Sequence, residues 1–323
     1  YLTWAKKHHH SATYNLASSG VTRPAEYELS LGKDVLDLSG EHEEGWAPFI
    51  ERVAKRYGVS EENVVPAPGA SMANHLVCSL LLEPEDEVLV EHPGYEPLHV
   101  LPRFFRAEVR PFDRRPQDGY ALDPSIIESS LTERTRLVIC SNLHNPTAKL
   151  ARRPELETLA ELAEAKNFHV LIDEVYLEWL IDEGQQAGAR FGRRMVTTSS
   201  LTKAYGLDTL RAGWILAEAE LAERLRRMID LFYVKMPLPI ERMAARAIEQ
   251  APTLLAPLKQ QIAENKELVA EFIGSRADLS WNPPDAGPVG LVELKKGSVD
   301  ELEERLKEMD ALIAPGRFFG VPN

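Results

Sequence analysis
The sequence predicts an α/β fold: a three-layer, mostly parallel sheet with a second, smaller α+β domain. Three observations lead there. From residue 84 to 216, short apolar runs alternate with helical patterns. The runs are apolar throughout, as in strands buried on both faces. Past residue 217 the pattern turns to long helices rich in Ala, Leu, Glu and Arg, followed by one short β/α unit.

Taken in order, the first 38 residues read as an irregular arm. Residues 71–82 (SMANHLVCSLLL) predict a helix, with Ser71 a suitable N-cap directly after a glycine turn. Strands follow at 87–92, 107–112, 136–142, 169–174, 195–200 and 211–217, each rich in Val, Ile or Leu or ending in polar residues. Residues 155–166 place Leu156, Leu159, Ala160 and Ala163 on one helical face. Residues 218–275 read as helical, broken near Pro237, Pro239 and Pro252, and 290–311 as a strand and a helix. The large domain is expected at 45–250, with 1–44 and 251–323 supplying the arm and the small domain.

The 323 residues suffice for a large core. Lys and Arg total 37 against 50 Asp and Glu, a net charge of −13 with no basic run, which argues against nucleic-acid and anionic-membrane partners. The longest apolar run, around Leu76 to Leu82, is too short to span a bilayer. Residues 1–20 lack the pattern of a signal peptide. Cys78 and Cys140 have neither CxxC spacing nor the density of a disulfide framework, so free buried thiols and a cytoplasmic location are expected. The run His8–His9–His10 lacks metal-site spacing; no metal is expected.

Four segments carry chemistry, at strand ends or in the turns beyond them, where open α/β sheets bind ligands. In PAPGASMANHL (66–76), Gly69, Ala70 and Ser71 open a helix whose amides suit an anion; the plain reading is a glycine turn. In CSNLHNPTA (140–148), Asn145 precedes a proline and is expected extended, with its amide free to donate; the plain reading is an Asn-Pro turn. In VLIDEVYLEW (170–179), Asp173 ends an apolar strand and Tyr176 follows; the plain reading is a surface acid. In TSSLTKAYGLDTLRAGW (198–214), Lys203 sits in a polar turn with Ser200 and Thr202, and Arg211 lies eight residues on. A lysine beside an arginine and a phosphate has a lowered pKa, suited to Schiff-base chemistry.

The order and spacing of HNPTA, DEVY and SLTKAYG…R resemble the class I/II aminotransferases, fold-type I enzymes that use pyridoxal 5'-phosphate. The resemblance runs over essentially the whole chain and is densest from 66 to 217. It implies that Lys203 forms a Schiff base with the cofactor and later shuttles the substrate's proton. It implies that Asp173 keeps the pyridine nitrogen protonated. Asn145 and Tyr176 would donate to the phenolic oxygen, and Tyr95, in EHPGYEPL, would stack on the ring. Gly69, Ala70, Ser71, Ser200, Thr202 and Arg211 would cradle the phosphate. Gly20, in NLASSGV, and Asn145 would face the substrate. The implied reaction moves an amino group from an L-amino acid to a 2-oxo acid, in a homodimer. A lyase, cyclase or decarboxylase on the same scaffold is the alternative, since substrate orientation decides which bond at Cα breaks. A cofactor-binding regulator or a degenerate homologue ranks lower.

The sequence departs from the family's pattern twice. The segment before the helix at Trp46 has no tyrosine to reach a neighbouring subunit's phosphate, and neither Trp46 nor His42 is assigned that role. The family's carboxylate-binding arginine follows a PGxxFG motif; in APGRFFGVPN, Arg317 lies inside the motif and does not inherit the role.

Overall fold
The structure, a computed structural model, describes residues 1–8, 11–23 and 28–321. Its elements in chain order begin with α1 (Leu2–His8), β1 (Tyr14–Asn15), α2 (Ala47–Tyr57), β2 (Val64–Ala67) and α3 (Ala70–Leu81). Next come β3 (Glu87–His92), α4 (Glu96–Phe104), β4 (Glu108–Asp113), α5 (Pro124–Ser130), β5 (Thr135–Ser141), α6 (Arg153–Lys166) and β6 (His169–Asp173). Then follow β7 (Met195–Ser200), β8 (Gly213–Leu216), α7 (Ala219–Phe232), α8 (Leu238–Glu249) and α9 (Ala251–Gly274). The chain closes with β9 (Leu279–Trp281), β10 (Val292–Leu294), α10 (Val299–Glu308) and β11 (Ala311–Leu312).

Seven strands form the central sheet in the order β2-β8-β7-β6-β5-β3-β4. Strands β3 to β7 run parallel, and β8 runs against both its neighbours. All six predicted strands are present. The seventh, β2 (Val64-Val65-Pro66-Ala67), is absent from the sequence reading because it precedes the alternating region at 84–216 and its last two residues open the segment read as a glycine turn. The ladder tolerates Pro66 because β2 is an edge strand bonded only to β8.

The apolar strands are buried on both faces, and alternation divides them. Leu137, Ile139, Leu171 and Val196 pack with Ala73, Leu76 and Val77 of α3 and Leu221 and Leu225 of α7. Val138, Cys140, Val170 and Ile172 face the other way, against Ile127 of α5 and Leu156, Leu159 and Ala163 of α6. Each fully buried aliphatic side chain contributes roughly 1.5–3 kcal/mol, so this helix–sheet–helix sandwich fixes the strand ends rigidly. A third cluster joins Phe49 and Val53 of α2 to Ala244, Ala245 and Ile248 of α8 around Trp214.

Three expectations need correcting. The first 38 residues are not wholly irregular: α1 forms, and β1 pairs in parallel with β11, tying the two ends of the chain together. Ser71 is not the N-cap of α3; Gly69 is, at φ +83°, and Ser71 lies exposed in the first turn. Asn145 is not on the extended strand end but in a turn four residues past β5. Of the histidine run, His8 ends α1, while His9 and His10 lie outside the described residues. Cys78 and Cys140 are free and buried. Among the described residues, no helix is long and apolar enough to cross a membrane and no cluster of side chains could hold a metal ion.

Candidate active site
The sheet brings the carboxyl ends of β6 and β7 side by side. Asp173 therefore ends its strand next to the turn after β7 that carries Lys203. Asp173 is buried, not the surface acid of the plain reading. Burial raises its pKa; the Asn74 amide, the Val175 N–H and the nearby Lys203 amine pull it back down. Asn74 Nδ2 donates to Asp173 Oδ2 at 2.9 Å, and Thr198 Oγ1 donates to Asn74 Oδ1 at 2.6 Å. A buried carboxylate braced by one amide, with a lysine in electrostatic reach, suits a protonated ring nitrogen as its missing partner.

Lys203 Nζ donates to Ser19 Oγ at 2.7 Å. Burial lowers the lysine pKa, Asp173 and Asp208 oppose that, and Arg211 adds to it. The amine is thus shifted toward its neutral, nucleophilic form. Tyr176 is buried, and its hydroxyl donates to the Ser19 carbonyl at 3.1 Å. Tyr95 caps α4 and is close enough to Asp173 and Tyr176 to be coupled to both electrostatically. The Asn145 N–H donates to Ser141 Oγ at 2.9 Å.

A second group of predicted residues meets at the start of α3. No side chain caps this helix, and its first internal bond runs from the Ala73 N–H to the Gly69 carbonyl, so the Ala70 and Ser71 amides have no intrahelical partner, whereas the Gly69 N–H is taken by the Ala67 carbonyl at 2.7 Å. Arg211, itself at φ +53°, reaches over Gly69: a Cβ there would lie 2.5 Å from Arg211 Nη2. Arg211 contacts only the Thr202 hydroxyl at 3.5 Å and the Asp208 and Pro68 carbonyls at 3.4 and 3.5 Å; among the described residues it meets no carboxylate. Buried Ser200 completes the rim, its Oγ accepting the Thr202 N–H at 3.4 Å. Gly213 underlies the turn, where a Cβ would sit 2.7 Å from the Ser199 carbonyl and 2.8 Å from Gly69 Cα. An uncapped helix start, a guanidinium without an acid and two hydroxyls form a cradle that fits a phosphate.

Two predicted residues are placed less directly. At Gly20 a Cβ would meet nothing nearer than Ser18 Oγ at 4.0 Å, so the protein's own packing does not require glycine there. Ser71 offers its backbone at the cradle while its side chain is exposed. Sequence reasoning missed Asn74 and Ser19. Asn74 carries a signal, an amide on the α3 face that also holds apolar Ala73 and Val77. Ser19 carries none beyond its place beside Gly20. Arg317 is ion-paired to Asp300 at 2.8 Å and Glu303 at 2.7 Å, consistent with its exclusion from the site.

The fold and this site can be set beside known proteins. Residues 42–323 match the family described as aminotransferase class I and II. The chain is 28% identical over 280 residues to the arginine–pyruvate transaminase of Pseudomonas aeruginosa, covering 84% of this chain and 71% of that one. It is 29% identical over 261 residues to the capreomycidine synthase of Streptomyces vinaceus, covering 80% and 67%. A pyridoxal-phosphate-dependent aminotransferase from Streptococcus suis shares the fold, with a TM-score of 0.89 at 24% identity over 99% of this chain and 89% of the other. The protein belongs to the class I and II aminotransferases. Its cofactor is accordingly pyridoxal phosphate.

Proposed function
We propose that this enzyme transfers the amino group of an L-amino acid to a 2-oxo acid, with Lys203 as the residue that links to the cofactor and moves the substrate's proton. The observation that carries the reading is that Lys203, a half-buried amine of lowered pKa on the turn after β7, interacts electrostatically with both the buried Asp173 carboxylate beside it and Arg211, which reaches over Gly69. When bound, the cofactor withdraws electrons from the substrate's Cα. The chain's own residues do the rest. Arg211, Ser200, Thr202 and, at the Gly69 turn, the amides of Ala70 and Ser71 would hold the phosphate. Asp173, braced by Asn74, would hold a proton on the ring nitrogen. Asn145 and Tyr176 would donate to the phenolic oxygen, and Tyr95 would pack on the ring. Gly20 leaves room beside Lys203 for the substrate.

The two-part organisation, 45–250 with 1–44 and 251–323, belongs to the same proposal, as do a cytoplasmic location and a homodimer. Buried free thiols at Cys78 and Cys140 support the location. An exposed apolar patch supports the dimer: Phe104, Leu231 and Val234 stand in solvent, and the His75 ring packs on Phe104, Phe105 and Phe232.

The test is spectroscopic and then chemical. Borohydride should fix pyridoxal phosphate covalently on the Lys203 peptide, and Lys203→Ala should abolish the fixation. Donor amino acids should convert the bound cofactor to its amine form, and 2-oxo acids should restore it. Likeness to capreomycidine synthase favours a second reading, cyclisation. Product release with no amine form of the cofactor would select it over transamination.

A further inference from the structure
We propose that Ser19 is a catalytic residue: its hydroxyl receives the Lys203 amine whenever that amine is free, and holds it as it takes up and gives back the substrate's proton. The inference rests on the proposed role of Lys203 and goes beyond it, because it draws a residue of the N-terminal segment into the chemistry.

The geometry singles out Ser19. Lys203 Nζ donates to Ser19 Oγ at 2.7 Å, and the adjacent Ser19 carbonyl accepts from Tyr176 OH at 3.1 Å. One residue, 184 positions away in sequence, therefore grips two side chains of the site at once. A lysine has three rotatable donors on a flexible four-carbon stem, so burial alone does not aim it. Desolvation costs an unpaired buried ammonium heavily, so it needs an acceptor. The groups acting on this amine electrostatically are Asp173, Asp208 and Arg211. Asp173 accepts from Asn74 and the Val175 N–H, while Nζ itself is hydrogen-bonded to the Ser19 hydroxyl.

In the step concerned, the neutral amine removes the proton from the substrate's Cα. The C–H bond breaks and an N–H bond forms on Nζ; the bound cofactor would supply the sink for the electron pair left on Cα. The resulting ammonium gives one N–H to Ser19 Oγ and keeps the others for the reacting carbons. Returning the proton to carbon restores the neutral amine. No further reactant is required.

The test compares wild type, Ser19→Ala and Ser19→Thr as full-length chains. The first readout is independent of turnover. Each chain is stripped of cofactor, pyridoxal phosphate is added back, and the rate of borohydride-trappable linkage at Lys203 is followed against pH. A hydroxyl that accepts from the ammonium stabilises the charged form, so the alanine variant should show its midpoint on the order of one pH unit lower. The threonine variant should match the wild type. The second readout is single turnover with an amino acid carrying hydrogen or deuterium at Cα. The alanine variant should be about tenfold slower or more, with a larger isotope effect. Superimposable pH curves and isotope effects for alanine and wild type would overturn the role of Ser19 alone. A wild type that forms no linkage at Lys203 would overturn the proposed function and this inference together.

Discussion

Asn74 and Asp173 are joined by a 2.9 Å hydrogen bond although they stand 99 residues apart. Because Thr198 Oγ1 already donates to the Asn74 carbonyl oxygen, the amide nitrogen is fixed as a donor toward the carboxylate. The bond favours the charged form of an acid that burial would otherwise neutralise. Asn74→Ala should therefore raise the Asp173 pKa further. The acid limb of kcat/KM against pH should move to higher pH, and cofactor affinity should fall about tenfold for the loss of a bond to a charged group. Asn74→Asp, which sets a like charge beside the acid, should move the limb further still. An unmoved limb in both variants would show that Asn74 only packs.

Gly69 and Arg211 make a second linked pair. At φ +83°, with Arg211 Nη2 2.5 Å from where a Cβ would stand, Gly69 has both backbone and steric reasons to be glycine. Gly69→Ala should push the guanidinium out of the cradle and weaken pyridoxal phosphate binding by about tenfold or more, while the sheet below persists. Arg211→Lys keeps the charge and loses the planar fork; it should weaken binding by a comparable factor. Equilibrium dialysis of each variant against pyridoxal phosphate, with far-ultraviolet circular dichroism as the fold control, measures both effects.

Most of the central sheet was legible because its inner strands are buried on both faces, so composition marks them; β4, at the edge, is largely exposed. Five of the six predicted strands agree with the structure to within one residue at each end. The sixth, predicted at 211–217, begins two residues later, because Arg211 takes a left-handed conformation before β8. β2 was missed because it lies before the alternating region at 84–216, in the run-up to the Gly69 turn, and pairs only with β8, 146 or more residues further along the chain. Candidate residues in compact segments, such as Asp173, Lys203 and Arg211, could be picked out from spacing and resemblance. Asn74 and Ser19 were not, because their roles arise from contacts across 99 and 184 residues that no local pattern records. The N-cap of α3 was misassigned for a related reason. Ser71 has the right side chain for a cap, but the chain turns at Gly69, and an unfilled helix start is what an anion site needs.

Glu178 shows how the Lys203 turn is held from below. This fully buried carboxylate accepts from Tyr57 OH at 2.6 Å, Tyr205 OH at 2.8 Å and Arg56 Nε at 2.7 Å. Tyr205 lies two residues past Lys203, so the network anchors the turn to α2. Glu178→Ala would leave a guanidinium and two hydroxyls buried around a vacated position. It should cost about 3–5 kcal/mol of stability, and Glu178→Gln less, since the amide oxygen still accepts. Urea denaturation at fixed pH measures the order. A loss under about 1 kcal/mol for the alanine variant would mean that water replaces the carboxylate and the anchoring argument fails.

Glu241 predicts how stability depends on pH. It is fully buried, its Oε2 accepts the Trp46 N–H at 3.1 Å, and its Oε1 has no hydrogen-bond partner among the described residues. Oε1 faces Gly45, where a Cβ would lie 3.3 Å away, and Tyr233 is the titratable group coupled to it. Burial pushes its pKa up to about 7 from the ordinary 4.5. A carboxyl whose folded value exceeds its unfolded value favours folding while it stays protonated. That contribution is complete below pH 4.5, falls as pH rises and is gone above about 7. The interval corresponds to roughly 3 kcal/mol. Glu241→Gln, which fixes the neutral form, should therefore raise Tm by several degrees at pH values above about 7. The gain should shrink steadily toward pH 4.5, where wild type and variant converge. Calorimetry across that range is the measurement, and a gain that stays constant with pH would show that Glu241 does not titrate in the folded protein.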